Sequence, residues 1–236
     1  MKIGVMLPNF ETSPEPALDF AKQAEQLVLH GVFCFDHLWP MGHPGLPSLS
    51  PMPLLAAVSA ATSRIRIGTL VARISLEPDD VIVAGFRTLA LLSSNRLIAA
   101  MGTGDHKSDD ENVAFGLNLE SAAVRRTHLE AIATRLLDAE IETWIGGGSP
   151  ATNEIAVRLG CAVNIWAGGT SAVERLEAEP RATWGGQLPA PREQAVARLV
   201  EIENTGAEWA VLSWQGPLKE LVELLAAAGM RLDAER

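Results

Sequence analysis

The sequence contains little that would bind a polyanion or cross a membrane. Its 236 residues include 19 Lys and Arg against 29 Asp and Glu, so the formal net charge is −10. Because no block of basic residues is present to displace counterions, we expect no nucleic-acid partner. No apolar run approaches the roughly 18 residues that suggest a membrane-spanning helix, and we expect no membrane partner. The apolar part of the first ten residues, MKIGVMLPNF, is too short for a signal peptide.

Cysteine is also scarce, which argues against a fold held together by disulfides. The chain has two cysteines, Cys34 and Cys161, and each lies inside an apolar run. A free thiol in such a run packs as a small hydrophobic group, which is typical of proteins from a reducing compartment. We therefore expect a cytoplasmic protein.

Short apolar runs alternate with helix-like segments along the whole chain. The predicted strands are residues 3–7, 32–35, 65–71, 96–101, 142–145, 162–166, 181–184 and 208–213. The predicted helices are residues 17–29, 53–62, 79–93, 125–139, 150–159, 171–178, 191–204 and 217–228. Most of the strands are almost continuously apolar, as in a parallel sheet that is buried on both faces. Strand–helix units repeated in this way predict a compact (β/α)8 TIM barrel, which we expect to be one domain over residues 1–236.

Two glycine clusters, 146–148 and 168–169, follow neighbouring predicted strands. In a TIM barrel the functional site lies at the carboxyl ends of the strands, so both clusters would lie at its edge. Glycine lets the backbone come close to a ligand, and a helix N-terminus binds anions such as phosphate. The alternative is that these are tight strand–helix turns that need a positive φ. The repetition of the arrangement favours a phosphate site.

Acidic residues and a histidine cluster after the fourth predicted strand. His106, Asp109, Asp110 and Glu111 are metal-ligand types, but their spacing matches no known zinc or calcium motif. The pattern favours a solvated loop that leads to a helix, and we expect no metal ion.

His37 follows Asp36 at the end of the second predicted strand. A lone histidine is usually structural, whereas one beside a carboxylate at the reactive face of a barrel is a candidate for proton transfer. Tryptophans also lie near strand ends, where they would form part of the wall or stack on an aromatic ligand. These tryptophans are Trp39, Trp166, Trp184 and Trp214.

Taken together, several segments resemble the luciferase-like monooxygenase superfamily. FDHLWP at 35–40 and RIRIGTLV at 64–71 are similar to its second and third strands. Residues 88–116, with TLALLSSNRL and then GTG, resemble its fourth-strand signature, and residues 144–168 resemble its cofactor-phosphate segment. The sequence of these segments is closer to the branch of the superfamily that uses the deazaflavin coenzyme F-420 than to the branch that uses FMN.

The resemblance implies a cofactor site and a reaction. It places His37 and Asp105 as catalytic residues at the reactive edge of the ring, and a bulge at Leu70–Val71, often with a non-proline cis peptide, behind it. The positions that it places around the cofactor are Asp36, Thr69, Leu70, Val71, Gly102, Thr103, Gly104, Gly146, Gly147, Gly148, Ser149, Gly168 and Gly169. It implies an oxidoreductase that moves a hydride between F-420 and a small organic substrate, and a homodimer.

Departures from the family pattern keep two alternatives open. Asp105 is one methylene shorter than the glutamate common at its position, and the long segment between the fourth and fifth strands, which often covers the substrate, is missing near residues 139–142. The first alternative is an FMN-dependent monooxygenase. The second is a flavin-binding barrel without catalysis.

Overall fold

The computed structural model describes residues 1–104, 106–147, 149–166 and 170–232. Over these ranges the strands form one sheet in which every pairing is parallel. The strands are β1 (Lys2–Met6), β2 (Gly31–Cys34), β3 (Arg66–Thr69), β4 (Ala72–Arg73), β5 (Leu97–Gly102), β6 (Glu142–Gly146), β7 (Ala162–Trp166), β8 (Ala182–Gly186) and β9 (Trp209–Leu212).

The sheet closes into an eight-position barrel. The strand order is β3-β2-β1-β9-β8-β7-β6-β5-β4, and a further pairing of β3 with β5 closes it. β3 and β4 are two parts of the third barrel strand, interrupted at Leu70 and Val71, and the peptide bond between these residues is cis. The predicted (β/α)8 barrel and the expected cis peptide are both confirmed.

Helices follow the strands around the barrel, as the alternating pattern predicts. They are α1 (Glu15–Gln26), α2 (Pro51–Ala61), α3 (Asp79–Leu92), α4 (Asp109–Ala114), α5 (Ala122–Leu137), α6 (Pro150–Leu159), α7 (Thr170–Ala178), α8 (Arg192–Asn204) and α9 (Leu218–Ala227). The short helix α4 was not predicted, because acidic residues dominate its sequence. The connection from α5 to β6 consists of residues 138–141, which agrees with the missing cover segment.

Side chains fill the barrel interior, so it is a packed core and not a pore. The ring of Phe33 stacks on Trp144 with centroids 5.4 Å apart, and Trp144 meets Trp209 at 5.5 Å. Leu70 joins this inner cluster, and a larger apolar cluster lies between the sheet and the helices. Within the described ranges no helix is long and apolar enough to span a membrane.

Both cysteines are buried, as expected for thiols inside apolar runs. Burial raises the pKa of the Cys161 thiol to about 11, and burial raises that of Cys34 further. Both groups therefore remain protonated near neutral pH and behave as small hydrophobic side chains.

Candidate active site

The carboxyl ends of the barrel strands meet at one face, which we call the mouth. Parallel strands share this end, and in (β/α)8 barrels it carries the functional groups. The chain places His37 beyond β2, Val71 between β3 and β4, Gly104 beyond β5, Gly147 beyond β6 and Trp166 at the end of β7. Residues far apart in sequence are thus brought to the same face of the protein.

His37 is held by a buried carboxylate. Its Nδ1 lies 3.0 Å from Oε2 of Glu111, a residue of α4 that is only 2% exposed. The backbone N–H of Leu38 donates to the other oxygen of the same carboxylate, and the hydroxyl of Ser48 donates to the carbonyl of His37. An acidic partner at Nδ1 favours the tautomer in which Nδ1 carries the proton. Nε2 is then the nitrogen with which His37 can exchange a proton with a substrate.

Arg73 balances the buried charge of Glu111. Its Nη2 donates to Oε1 of Glu111 at 2.8 Å, and its Nη1 donates to Oδ1 of Asn112 at 3.1 Å. Its Nε donates to the carbonyl of Asp36 at 2.7 Å. A buried ion pair is stable only when its remaining donors and acceptors are satisfied, and here they are. The network ties α4 to β4 and to the end of β2.

Asp36 lies in the wall behind this network. Its Oδ2 accepts the backbone N–H of Arg73 at 2.7 Å. Burial raises the pKa of the Asp36 carboxyl, and the hydrogen bond and positive charge from Arg73 oppose that rise. This placement favours a structural role for Asp36, which holds β4 in position. The contact with the cofactor that the resemblance implies for Asp36 stays a prediction.

The bulge at Leu70–Val71 forms a shelf at the mouth. Thr69 is buried and donates its hydroxyl to the carbonyl of Ala100 at 2.6 Å, while Leu70 packs into the barrel core. The side chain of Val71 occupies space that two glycines leave free. A Cβ on Gly102 would lie 2.7 Å from Cγ2 of Val71, and one on Gly146 would lie 3.4 Å from its Cγ1. Partly exposed Val71 therefore forms the apolar surface of this shelf.

The loop beyond β5 begins with Thr103 and Gly104, both partly buried. Gly104 has a φ of +71°, a left-handed conformation that favours glycine. Four of the predicted site residues lie outside the described residues: Asp105, Gly148, Gly168 and Gly169.

Gly147 is required for a close approach of two strands. Its N–H donates to the carbonyl of Asn164 at 2.8 Å, and a Cβ there would lie 2.5 Å from Cγ1 of Val163. Its carbonyl accepts a hydrogen bond from the guanidinium of Arg175, a residue of α7. The N–H of Gly147 is therefore not free to bind a phosphate, and Gly147 is not among the glycines with a positive φ. Neither the phosphate site nor the tight turn explains this glycine, whereas the close packing of Val163 does.

Ser149 caps α6. Its hydroxyl accepts the backbone N–H of Thr152 at 3.3 Å, and Pro150 occupies the first helical position. This agrees with the helix start predicted from the sequence. With Arg175 beside the preceding turn, a helix N-terminus and a cation lie at the same edge of the mouth.

Three aromatic side chains form a row across the mouth, which we call the aromatic row. Phe10 stacks on Phe35 with centroids 5.7 Å apart, and Phe35 meets Trp166 edge-on at 5.4 Å. Since β2 and β7 are four positions apart in the eight-position barrel, Phe35 and Trp166 approach each other from opposite sides. The indole of Trp166 lies over Gly185, where a Cβ would come within 2.5 Å of its Cε3.

The remaining tryptophans near strand ends differ in their surroundings. Trp184 is buried, whereas Trp39 packs against the exposed ring of Phe115 with centroids 5.5 Å apart. The indole N–H of Trp214 donates to the carbonyl of Pro217 at 3.1 Å. Among the four, Trp166 has the large exposed surface, with 41% of the residue accessible.

Sequence reasoning missed Glu111 and Arg73. The predicted exposure to solvent is correct for His106, Asp109 and Asp110 and wrong for Glu111, which is buried. The predicted loop is wrong for Asp109 and Asp110, which form the first turn of α4. No cluster of metal-ligating side chains occurs among the residues that the structure describes. In the sequence, the position of Glu111 four residues before Phe115 gives no sign that it would pair with His37. Only the packing of α4 against the barrel identifies it.

Comparison with known proteins confirms the family resemblance. Residues 1–133 match the family described as luciferase-like monooxygenase. An F-420-dependent glucose-6-phosphate dehydrogenase from Microbacterium testaceum is 29% identical over 147 residues, which is 62% of this chain and 42% of that protein. The chain thus spans less than half the length of this curated relative.

Solved structures show that the fold is shared with more distant proteins. An F-420-dependent secondary alcohol dehydrogenase, in complex with an F-420–acetone adduct, superposes with a TM-score of 0.77 at 14% identity, covering 96% of this chain and 97% of the other. A monooxygenase from Streptomyces bottropensis superposes with a TM-score of 0.76 at 17% identity, covering 97% and 98%. The family match, which covers more than half of the chain, and the shared barrel lead to one conclusion: the chain belongs to the luciferase-like monooxygenase family.

Proposed function

We propose that this protein is an oxidoreductase that transfers a hydride between coenzyme F-420 and a small organic substrate. The observation that carries the proposal is the His37–Glu111 pair, a histidine oriented by a buried carboxylate at the same mouth as the Val71 shelf. A relative and a solved structure of the same fold are both named as F-420-dependent dehydrogenases, which supports the choice of cofactor. A single domain and a cytoplasmic location stay predictions.

The residues at the mouth fit a flat ring with an anionic tail. Val71 offers an apolar surface, and Gly102 and Gly146 carry no side chain that would displace it. Arg175 and the start of α6 supply positive charge at the other edge, where a phosphate would be stabilised. We propose that Val71, Gly102, Thr103 and Gly104 hold the ring, and that Arg175 and the start of α6 at Ser149 hold the tail, with Gly148, Gly168 and Gly169 as further candidates from the sequence.

When bound, F-420 supplies a carbon that accepts or donates a hydride. His37 exchanges the accompanying proton through Nε2, since Nδ1 is engaged by Glu111. Glu111 and Arg73 keep the imidazole in one orientation. Beneath the shelf, the described residues of the barrel interior form a buried apolar cluster that includes Leu70. Asp105 stays a second candidate for proton transfer.

Binding of the cofactor can be tested by fluorescence titration with F-420 and, separately, with FMN. We expect saturable binding of F-420, and about tenfold weaker binding by Arg175→Gln because a charge-assisted contact to phosphate contributes roughly 1.5 kcal/mol or more. Arg158→Gln is the matched control, since Arg158 pairs with Glu130 on the exposed surface. Gly147→Asp is less suitable, because any Cβ there meets Val163.

The proposed function would be refuted if neither F-420 nor FMN binds. The proposed position of the cofactor tail would be refuted if the wild type and Arg175→Gln bind F-420 with equal affinity. Preferential binding of FMN, with oxygen consumption, would support the FMN-dependent monooxygenase. Binding without turnover would support the non-catalytic barrel, which the short connection at residues 138–141 and the exposed Phe115 favour.

We further propose that the protein forms a homodimer through α2 and α3. The sequence of α2, PMPLLAAVSAA, has no charged residue, and a helix that is apolar on all sides is normally covered. A groove between the two helices is lined mostly by apolar residues, with Asp80 and Thr88 also in its lining; the apolar ones are Met52, Ala56, Val81, Ala84, Gly85, Leu89 and Leu92. Val81 and Leu92 are 51% and 60% exposed. A second copy presents the same apolar face, so two such faces can cover each other about a twofold axis.

Val81→Glu is expected to weaken this dimer at least tenfold, because burying a charge in an apolar interface costs more than about 1.4 kcal/mol. Sedimentation velocity over a concentration series measures the change. Val157→Glu on α6, where Val157 is 48% exposed, is the control and should leave the mass unchanged. A wild-type protein that is monomeric at all concentrations would refute the proposed dimer.

A further inference from the structure

The aromatic row presents an open ring surface at the mouth. The indole of Trp166 is 41% exposed although it contacts Phe35 on one side and lies over Gly185 on another. Gly185 is the position that permits this placement, since a Cβ there would lie 2.5 Å and 2.9 Å from two carbons of the indole. An exposed aromatic face at the mouth is suited to stacking against a flat or ring-shaped ligand.

The charged groups near His37 do not favour an anion. Arg73 shares Glu111 with His37, but its Nε, Nη1 and Nη2 are directed at Asp36, Asn112 and Glu111 and not at the mouth. Two carboxylates, Asp36 and Glu111, lie behind the same wall. Arg175 lies on the opposite side, at the glycine turn beyond β6. Arg73 is thus committed to the wall, and of these groups none would donate to the phosphate of a dianionic substrate beside His37.

We propose that the aromatic row is the substrate subsite and that it takes a neutral, ring-bearing alcohol or ketone, and not a phosphorylated sugar. This rests on the proposed function. In the oxidative direction the carbinol C–H bond breaks and its hydride passes to F-420, while the O–H proton passes to Nε2 of His37. The alcohol loses two electrons and becomes a ketone, and the cofactor gains them. The substrate class thus differs from the sugar phosphate named for the curated relative.

A matched pair of probes tests the subsite by isothermal titration calorimetry. 2-Naphthol and 2-naphthyl phosphate share a ring and differ by a phosphate group. We expect 2-naphthol to bind both to the chain alone and to the chain preloaded with F-420. On the preloaded chain, where the cofactor tail would occupy the site proposed at Arg175, it should bind at least tenfold more tightly than 2-naphthyl phosphate. Trp166→Ala is expected to weaken 2-naphthol binding by about tenfold, because the stacked ring is removed. Gly185→Ala, which displaces the indole, should weaken it as well.

Trp214→Ala is the control, since the Trp214 indole is held by Pro217 outside the row. Circular dichroism verifies that each variant is folded. The proposal is overturned if 2-naphthyl phosphate binds the preloaded chain as tightly as 2-naphthol does, or if Trp166→Ala leaves the affinity for 2-naphthol unchanged. Displacement of 2-naphthol by F-420 would also overturn it, since the row would then belong to the cofactor. Failure of F-420 itself to bind is measured separately and concerns only the proposed function.

Discussion

Replacing His37 by glutamine is expected to lower turnover by about 10²- to 10⁴-fold, the usual contribution of a general acid or base. Glutamine can still hydrogen-bond to Glu111, but it cannot exchange a proton near neutral pH. Binding of F-420 should change by less than about twofold, since the energy of the cofactor contacts lies elsewhere. The measurement is the absorbance change of F-420 during oxidation of a neutral ring-bearing alcohol such as cyclohexanol.

His43→Gln is the matched control, because His43 is exposed and lies six residues further along the same loop. It should retain the turnover of the wild type. If His37→Gln keeps more than about a tenth of that turnover, His37 is not the proton-transfer group. Asp105→Asn, assayed in parallel, then shows whether the acid beyond β5 takes that role.

Replacing Glu111 by glutamine is expected to lower the free energy of unfolding by about 3 kcal/mol or more, as found when one partner of a buried ion pair is removed. Arg73 would keep its charge while losing its buried counter-charge, and the amide cannot accept from Leu38, Arg73 and His37 as the carboxylate does. Urea unfolding followed by circular dichroism measures the change.

Asp110→Asn provides a chemically identical change on the same helix. Asp110 is exposed in the first turn of α4, where a carboxylate contributes only about 0.3–1 kcal/mol through the helix dipole. A loss of stability in Glu111→Gln no greater than in Asp110→Asn would contradict the buried network. In a folded Glu111→Gln protein we also expect lower kcat with little change in KM, because His37 loses its fixed orientation.

The barrel could be predicted from the sequence because its physical cause is local. Strands buried on both faces must be apolar throughout, and each must be followed by a helix that returns the chain to the start of the next strand. The alternation of such segments therefore specifies the topology. The interruption of the third strand between Thr69 and Ala72 is predicted only by the family resemblance, because Leu70, Val71 and Ala72 form a continuous apolar run.

Site residues that directly follow a strand could be predicted from the sequence. Site residues that depend on how a helix packs against the barrel could not. His37 follows a strand directly, so its position at the mouth follows from topology. Glu111 reaches His37 only because α4 packs its inner face against the barrel, and a chain of acids gives no sign of which one turns inward. Gly147 shows the same limit, since a glycine that accommodates Val163 resembles, in sequence, one that binds phosphate.

The close approach of Gly185 to Trp166 means that these two positions cannot vary independently. A side chain on β8 at residue 185 requires the indole at residue 166 to move or to be replaced by something smaller. A double substitution such as Gly185→Ala with Trp166→Leu should therefore be less harmful than the sum of its parts. Bulk at this end of the barrel can thus be transferred from β7 to β8, which would change the shape of the mouth beside His37.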